Sequence, residues 1–329
     1  ALVVILNTIG VALVGSASPG DQKKQIIGMV SGIIIMLLVS YIDYNFILRF
    51  SWLIYLGAVG LLGLVIVAGE QSKGAQRWFK IGGFQFQPSE LVKILMILFL
   101  AYYFMRHEEK INSPRVLFGS FVLIGIPLAL ILAQPNLSTT IVLALVFAAM
   151  LFAAGLSYKI VVGVLAVCVP TFFIVLTLII QDKFPFIHSY QLGRIMGWLY
   201  PDKYPDIAYQ QQNSIMAIGS GLLWGKGLGN TDPTSVKNGK FILEPQNDFI
   251  YTIVCEELGY IGAVAVIVLF GLLVWRGYVI AMRAPDRFAQ LTAIGISSKI
   301  ALQVLLNIAV VTNSIPNTGI SLPFFSYGG

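Results

Sequence analysis

The 329-residue chain is 57% hydrophobic and only 11% charged, with a mean hydropathy of +0.84; soluble domains carry about 25% charged residues, so a water-soluble globule is excluded. The formal charge of +6 comes from basic residues scattered among loops, which points to anionic lipid head groups and away from nucleic acid. Cys168 and Cys255 lie in or beside apolar runs, and His107 and His188 are far apart, so neither a disulfide framework nor a metal-ligand spacing is present.

Crossing a hydrocarbon core takes about 20 helical residues. Uncharged runs of that order occur at 1–20, 26–42, 50–69, 116–133, 137–158, 160–181 and 258–275. Two further runs carry charge: 89–105 holds Glu90 and Lys93 near its start, and 288–312 holds Lys299 near its middle. The reading is an all-α, polytopic integral membrane protein with about nine transmembrane helices. Segment 1–20 lacks a basic leader and is followed by more spans, so it reads as the first helix and not as a signal peptide. The chain begins at Ala1 and stops at Gly329 straight after a loop, and a further helix is expected beyond it. All of 1–329 reads as one transmembrane domain containing a large loop at 182–247.

Alternate short loops carry Arg49, Arg106, Lys110, Arg115, Lys159, Arg276, Arg283 and Arg287 on one side, against Lys23, Lys24, Lys73, Arg77 and Lys80 on the other. The richer side is assigned to the cytoplasm. Loops 70–88, 134–136, 182–247 and 313–329 then face outward, and these are the loops that mix Gly, Pro, Trp and amides.

In chain order, Gly74-Ala75-Gln76-Arg77-Trp78 leads to Gln87-Pro88-Ser89-Glu90 and Lys93. Pro88 suits a helix start, with Glu90 in its first turn. Glu90 and Lys93, three apart, share a face and can neutralise one another. They read either as an interfacial anchor pair or as a functional pair held at the membrane mouth.

The long loop contains Tyr209-Gln210 through Ser214, Ala217-Ile218-Gly219-Ser220-Gly221 and Gly225-Lys226-Gly227-Leu228-Gly229. No nucleotide P-loop is present, because the spacing is wrong and Gly227 stands where a magnesium-binding Ser or Thr is required. The glycines and Lys226 fit either a diphosphate-binding nest or tight re-entrant packing.

Leu243-Glu244-Pro245-Gln246-Asn247-Asp248 precedes an apolar run in which Glu256 and Glu257 are embedded. Asn247 or Asp248 would cap that helix; alternatively Asp248 is a carboxylate at a membrane mouth, able to take a proton from a sugar hydroxyl. Glu256 and Glu257 are expected to pair with buried cations such as Lys299. The stretch Asn317-Thr318-Gly319 to Ser326-Tyr327-Gly328-Gly329 is apolar but full of breakers, a folded loop on the outer face.

In sequence order GAQRW, QPSELVK, AQPNLSTT, YQQQNSIMAIGSG, GKGLG, PQNDFIYTIVCEELG and TGISLPFFSYGG resemble the SEDS family of shape, elongation, division and sporulation proteins, over nearly the whole chain. The resemblance implies ten helices, the last after Gly329. It further implies a peptidoglycan glycosyltransferase at the outer face of the bacterial cytoplasmic membrane, polymerising lipid II and working beside a class B penicillin-binding protein. Carried over by position, it makes Asp248, Glu90 and Lys93 the catalytic set, with Arg77, Trp78, Gln87, Ser89, Gln210, Ser214, Lys226 and Ser326 as substrate-binding side chains. No residue is assigned to a metal, and a divalent cation, Mg2+ or Mn2+, is the one cofactor the chemistry leaves open. The chain departs from the family pattern at Asn213, Leu222 and Asn136-Leu137-Ser138. A lipid-linked precursor flippase, with Lys299 in mid-span as its best support, and a non-catalytic scaffold are the competing readings.

Overall fold

The computed structural model describes residues 1–72, 75–81, 84–180 and 189–327. Each of the nine apolar runs forms a helix over most of its described residues: α1 Leu2–Ala17, α2 Pro19–Ser40, α4 Ser51–Ala68, α5 Pro88–Arg106, α6 Pro114–Ala133, α7 Leu137–Ala153, α8 Tyr158–Ile180, α11 Ile250–Met282 and α12 Arg287–Val311. Among the described residues seven of these are long and apolar enough to cross a membrane, while α1 and α7 are apolar but shorter. Three shorter helices complete the set: α3 Tyr44–Arg49, α9 Ser189–Leu199 and α10 Pro205–Ser220.

Two apolar cores meet along α12. One unites α4, α5, α6 and α7 through residues such as Leu62, Met96, Phe99, Ile131 and Phe147, and takes in Phe288 and Leu291 of α12. The other unites α1, α11 and the 317–327 segment through Leu6, Leu13, Val254, Phe270 and Phe325, and takes in Val304 and Val311. The apolar face of α2 is fully outward, burying no residue, as befits a helix solvated by lipid.

Where the sequence suggested only loops, β1 Glu70–Ser72, β2 Ala75–Ile81 and β3 Phe84–Phe86 form a small antiparallel sheet in the order β1-β2-β3. Alternation in Arg77-Trp78-Phe79 is too short to announce a strand without the partners it pairs with. The segment 182–247, read as one loop, contains α9 and α10, both docked on the end of α12. The Gln211 amide donates to Val310 O and Ile315 O, each at 2.9 Å, and Trp198 Nε1 donates to Asn313 O at 2.9 Å.

Helix α11 starts eight residues earlier than its apolar run and is broken at Gly259, whose φ of 66° is a left-handed conformation open mainly to glycine. A break inside an apolar bundle orphans backbone groups that lipid cannot satisfy. The glycine loop supplies them. Tyr260 N–H donates to Leu222 O (2.8 Å) and Ile261 N–H to Leu223 O (3.3 Å), while Lys226 and Gly227 N–H donate to Glu256 O and Glu257 O, both at 2.9 Å. Gly225 lies so close to the Gly259 backbone that a Cβ on either would collide with the other chain segment. Of the two readings of this loop, tight re-entrant packing is the one its backbone realises.

Candidate functional site

The β1-β2-β3 sheet and the connections 134–136, 221–249 and 312–327 gather at one end of the bundle, tied by side chains from the motifs singled out above. Helix α5 starts at Pro88, a residue whose missing N–H costs nothing in a first turn, with Gln87 at its N-cap position. Lys93 is buried and donates to Glu90 Oε1 at 2.8 Å, while Glu90 remains about one-third exposed. The Ser89 hydroxyl accepts from Gln87 Nε2 at 3.0 Å and from Asn136 Nδ2 at 3.4 Å, and Asn136 caps α7 by accepting from Thr139 N–H at 3.3 Å. Arg77, on β2, donates to Gln134 O at 2.9 Å and to Pro135 O. Trp78 is half-buried on the same strand. Ser138 Oγ reaches across to Thr318 O at 2.5 Å.

That last bond leads directly to Asp248. Gly319, with φ of +73°, sits so that a Cβ there would be 3.2 Å from Asp248 Oδ2 and 3.8 Å from Arg194 Nη1. Arg194 itself donates to Asn317 O at 2.8 Å. Behind them Asn307 of α12 donates to Asp248 O (2.7 Å) and Ile320 O (2.6 Å), pinning both strands of the mouth to one side chain. Asp248 is half-buried. It is not the cap of α11: that position is Phe249, with no side-chain cap bond. The capping reading of Asp248 is thereby corrected, because the chain stays in a turn until Phe249 and the carboxylate is left facing Gly319.

Two other expectations also change. Glu256 and Glu257 do not pair with Lys299; Glu256 accepts from Lys226 Nζ at 2.8 Å and from Val236 N–H at 3.0 Å, and Glu257 accepts from Lys237 and from Ser16 Oγ at 2.5 Å. Both carboxylates are paired with basic residues, as expected, but the segment that docks against the start of α11 brings those cations itself, Lys226 and Lys237. Lys226 is therefore ion-paired to α11. Ser214 is buried where α10, α11 and α12 meet, bonded to Thr252 Oγ1 (2.6 Å) and Val311 O (2.8 Å), and Gln210 beside it is half-buried. Ser326 is also buried; it donates to Asn247 O at 2.8 Å and accepts from Leu322 N–H at 2.7 Å. Both serines thus hold the loops that frame the mouth.

The geometry brings together Asp248, Arg194, Gly319, Ser89, Arg77 and the Glu90–Lys93 pair, around a rim of backbone carbonyls and amides. A carboxylate positioned by a buried amide, beside a guanidinium, can accept a proton from a hydroxyl; flanking cations can stabilise an oxyanion that leaves. Sequence reasoning missed Arg194 and Asn307. The polar stripe of Ser189–Leu199 could have flagged an interfacial helix, whereas Asn307 carries no local signal. Among the described residues no three His, Cys, Asp or Glu side chains gather into one cluster.

A family model described as cell cycle protein, spanning FtsW, RodA and SpoVE, matches residues 2–329. The chain is 34% identical to a probable peptidoglycan glycosyltransferase FtsW of Geobacter sp. (strain M18), with 100% of the chain and 90% of that protein aligned. It is 35% identical to stage V sporulation protein E of Bacillus subtilis (strain 168), over the same shares. Among solved structures it superposes with a TM-score of 0.80 on a chain of a peptidoglycan synthase complex described as coordinating polymerization and crosslinking, at 26% identity over 99% of this chain and 90% of that one. The rod shape determining protein RodA of Thermus thermophilus gives 0.69 at 25% identity, over 99% and 88%.

Proposed function

The chain belongs to the FtsW/RodA/SpoVE family of cell cycle proteins, and from that membership together with the Asp248 mouth we propose that it is a peptidoglycan glycosyltransferase that polymerises lipid II. The observation that carries the reading is the Asp248 carboxylate, held through its own backbone by Asn307 and faced by Gly319 and Arg194.

In the proposed reaction Asp248 accepts the proton of the GlcNAc 4-hydroxyl of lipid II. That oxygen bonds to the anomeric carbon of the growing strand with inversion, the carbon–oxygen bond to the diphosphate breaks, and the electron pair leaves with undecaprenyl diphosphate. General-base help of this kind supplies about 10²–10⁴-fold. Lys93, kept in place by Glu90, neutralises charge on the departing diphosphate, as preorganised cations do. Arg77 orders the 134–136 rim, and Lys226 keeps the glycine loop seated in the break of α11. No step passes through a metal.

The reaction takes place at the outer face of the cytoplasmic membrane, the side poorer in Lys and Arg. The polyprenyl tail stays in lipid while the sugars enter between helices. A class B penicillin-binding protein is the proposed partner, supported by the likeness to the synthase complex. Purified protein incubated with lipid II, with and without such a transpeptidase, tests the whole reading: glycan chains on a gel support it. Translocation of lipid II across vesicles without polymer would put a flippase in its place.

A further inference from the structure

Helix α12 carries a polar stripe that the account above uses only at one end. A Cβ on Gly295 would stand 2.5 Å from Ile97 Cγ2 of α5 and 2.8 Å from Met150 Sδ of α7, which fixes the register of three helices. One turn further along α12 is Lys299, and one turn back along α5 is Lys93, so the two lysines share a level of the bundle. Lys299 indeed lies in the electrostatic field of both Lys93 and Glu90. Two more turns of α12 bring Gln303 and then Asn307, the residue that holds the Asp248 backbone.

The polar groups of this stripe are not consumed by the fold. Among the described residues the Lys299 ammonium has no hydrogen-bond or ion-pair partner. Lys93 is paired with Glu90, so Lys299 adds a positive charge of its own within an apolar bundle, where an uncompensated charge is costly. Above it, Gln303 Oε1 and Asn307 Oδ1 are buried with no hydrogen-bond partner, although Gln303 and Asn307 are 3% and 0% exposed. Such orphaned acceptors are rare enough in native proteins to require an explanation.

We infer that Lys299, Gln303 and Asn307 form a binding track for the sugar-diphosphate end of the lipid-linked donor. Lys299 and Lys93 hold the diphosphate, and the two carbonyl oxygens take hydrogen bonds from sugar hydroxyl and acetamido N–H groups. The eight residues from Lys299 to Asn307 rise about 12 Å. That is the span of a proton-accepting hydrogen bond, a forming glycosidic bond and a diphosphate laid end to end, so Asp248 at the top meets the acceptor hydroxyl while the cations at the bottom meet the donor's diphosphate. The order is also chemically correct, with anion-binding groups deep, neutral acceptors in the middle and the base outermost. The inference rests on the proposed glycosyltransferase reading and deepens it.

The test uses the purified full chain and measures binding of undecaprenyl diphosphate against undecaprenyl monophosphate, for the parent, Lys299→Met and Lys299→Arg. The parent is expected to prefer the diphosphate by about tenfold or more, the value of one charge-assisted contact. Lys299→Met loses the preference and Lys299→Arg keeps most of it. Thermal stability separates this from a structural role: removing a half-buried cation without a partner leaves stability unchanged or raises it. Unchanged diphosphate preference in Lys299→Met, or a large loss of stability, overturns the inference. Polymerisation by the parent is scored separately, so a chain that makes glycan while Lys299→Met keeps its preference sinks the track and spares the enzyme. A chain that makes none but shows the Lys299-dependent preference sinks the enzyme and spares the track.

Discussion

Substituting Gly319 by alanine tests whether the terminal segment forms one wall of the reaction site. The backbone there has φ of +73°, and holding an L-residue in that region costs roughly 1–2 kcal/mol. The added methyl would sit 3.2 Å from Asp248 Oδ2 and 3.8 Å from Arg194 Nη1. The first distance is closer than an ordinary van der Waals contact between carbon and oxygen, so the carboxylate must move by a few tenths of an ångström. A small misplacement of a catalytic group costs up to about 10²-fold. Gly229 provides the control, since it has the same φ of +73° with no atom near its Cβ position. Both alanine variants are expected to lose similar, modest stability in a detergent thermal melt. Only Gly319→Ala is expected to lose lipid II polymerisation, by tenfold or more. Equal activity in the two variants would refute the placement of Gly319 against the catalytic carboxylate.

Other consequences follow from the ion pairs and caps. Lys226→Met strands the buried Glu256 carboxylate and should cost about 3–5 kcal/mol, read by thermal melting; adding Glu256→Gln should restore much of it, and failure of that rescue would show that Lys226 acts elsewhere. Arg77→Ala removes the donors to Gln134 O and Pro135 O and should lower polymerisation while leaving the helices folded by circular dichroism. At the other end of the bundle, Asp286 caps α12 by accepting from Ala289 N–H at 2.8 Å and also accepts from the Tyr44 hydroxyl at 2.6 Å. Those bonds, the Ala289 one first, hold its carboxyl below the usual range. Its contribution, about 1 kcal/mol for a cap, is thus complete above the unfolded-state value near 3.9 and is lost as pH falls through the lower folded value. Asp286→Ala should lower the melting temperature at neutral pH and lose that difference in acid.

The transmembrane helices were legible because length and hydropathy alone decide them, and every apolar run became a helix. The β1-β2-β3 sheet was not, since β1 and β3 are three residues each, with no periodicity to read, and β2 has no clear alternation without the partners it pairs with. Asp248 was ambiguous for a different reason: a carboxylate just before an apolar run fits a cap equally well, and only the turn continuing to Phe249 takes it out of the cap position. That Glu256 and Glu257 pair with basic residues was legible, because a carboxylate in an apolar span needs a partner; that the partners are Lys226 and Lys237 and not Lys299 was not, because it depends on how the 221–249 segment docks on α11. Of the polar stripe on α12 only Lys299 stood out in the sequence, as a charge in mid-span; Gln303 and Asn307 carry no local signal, and the register against Lys93 is fixed only by the tight contact at Gly295.

The central claim is that Asp248 is the base. Asp248→Asn keeps the shape of the side chain, leaves the bond from Asn307 to the backbone carbonyl intact and disturbs no helix cap, so the protein should fold and melt as the parent does. With purified lipid II and the transpeptidase partner present, its polymerisation rate should fall by about 10²–10⁴-fold. Glycan synthesis at the parental rate by that variant would contradict the account.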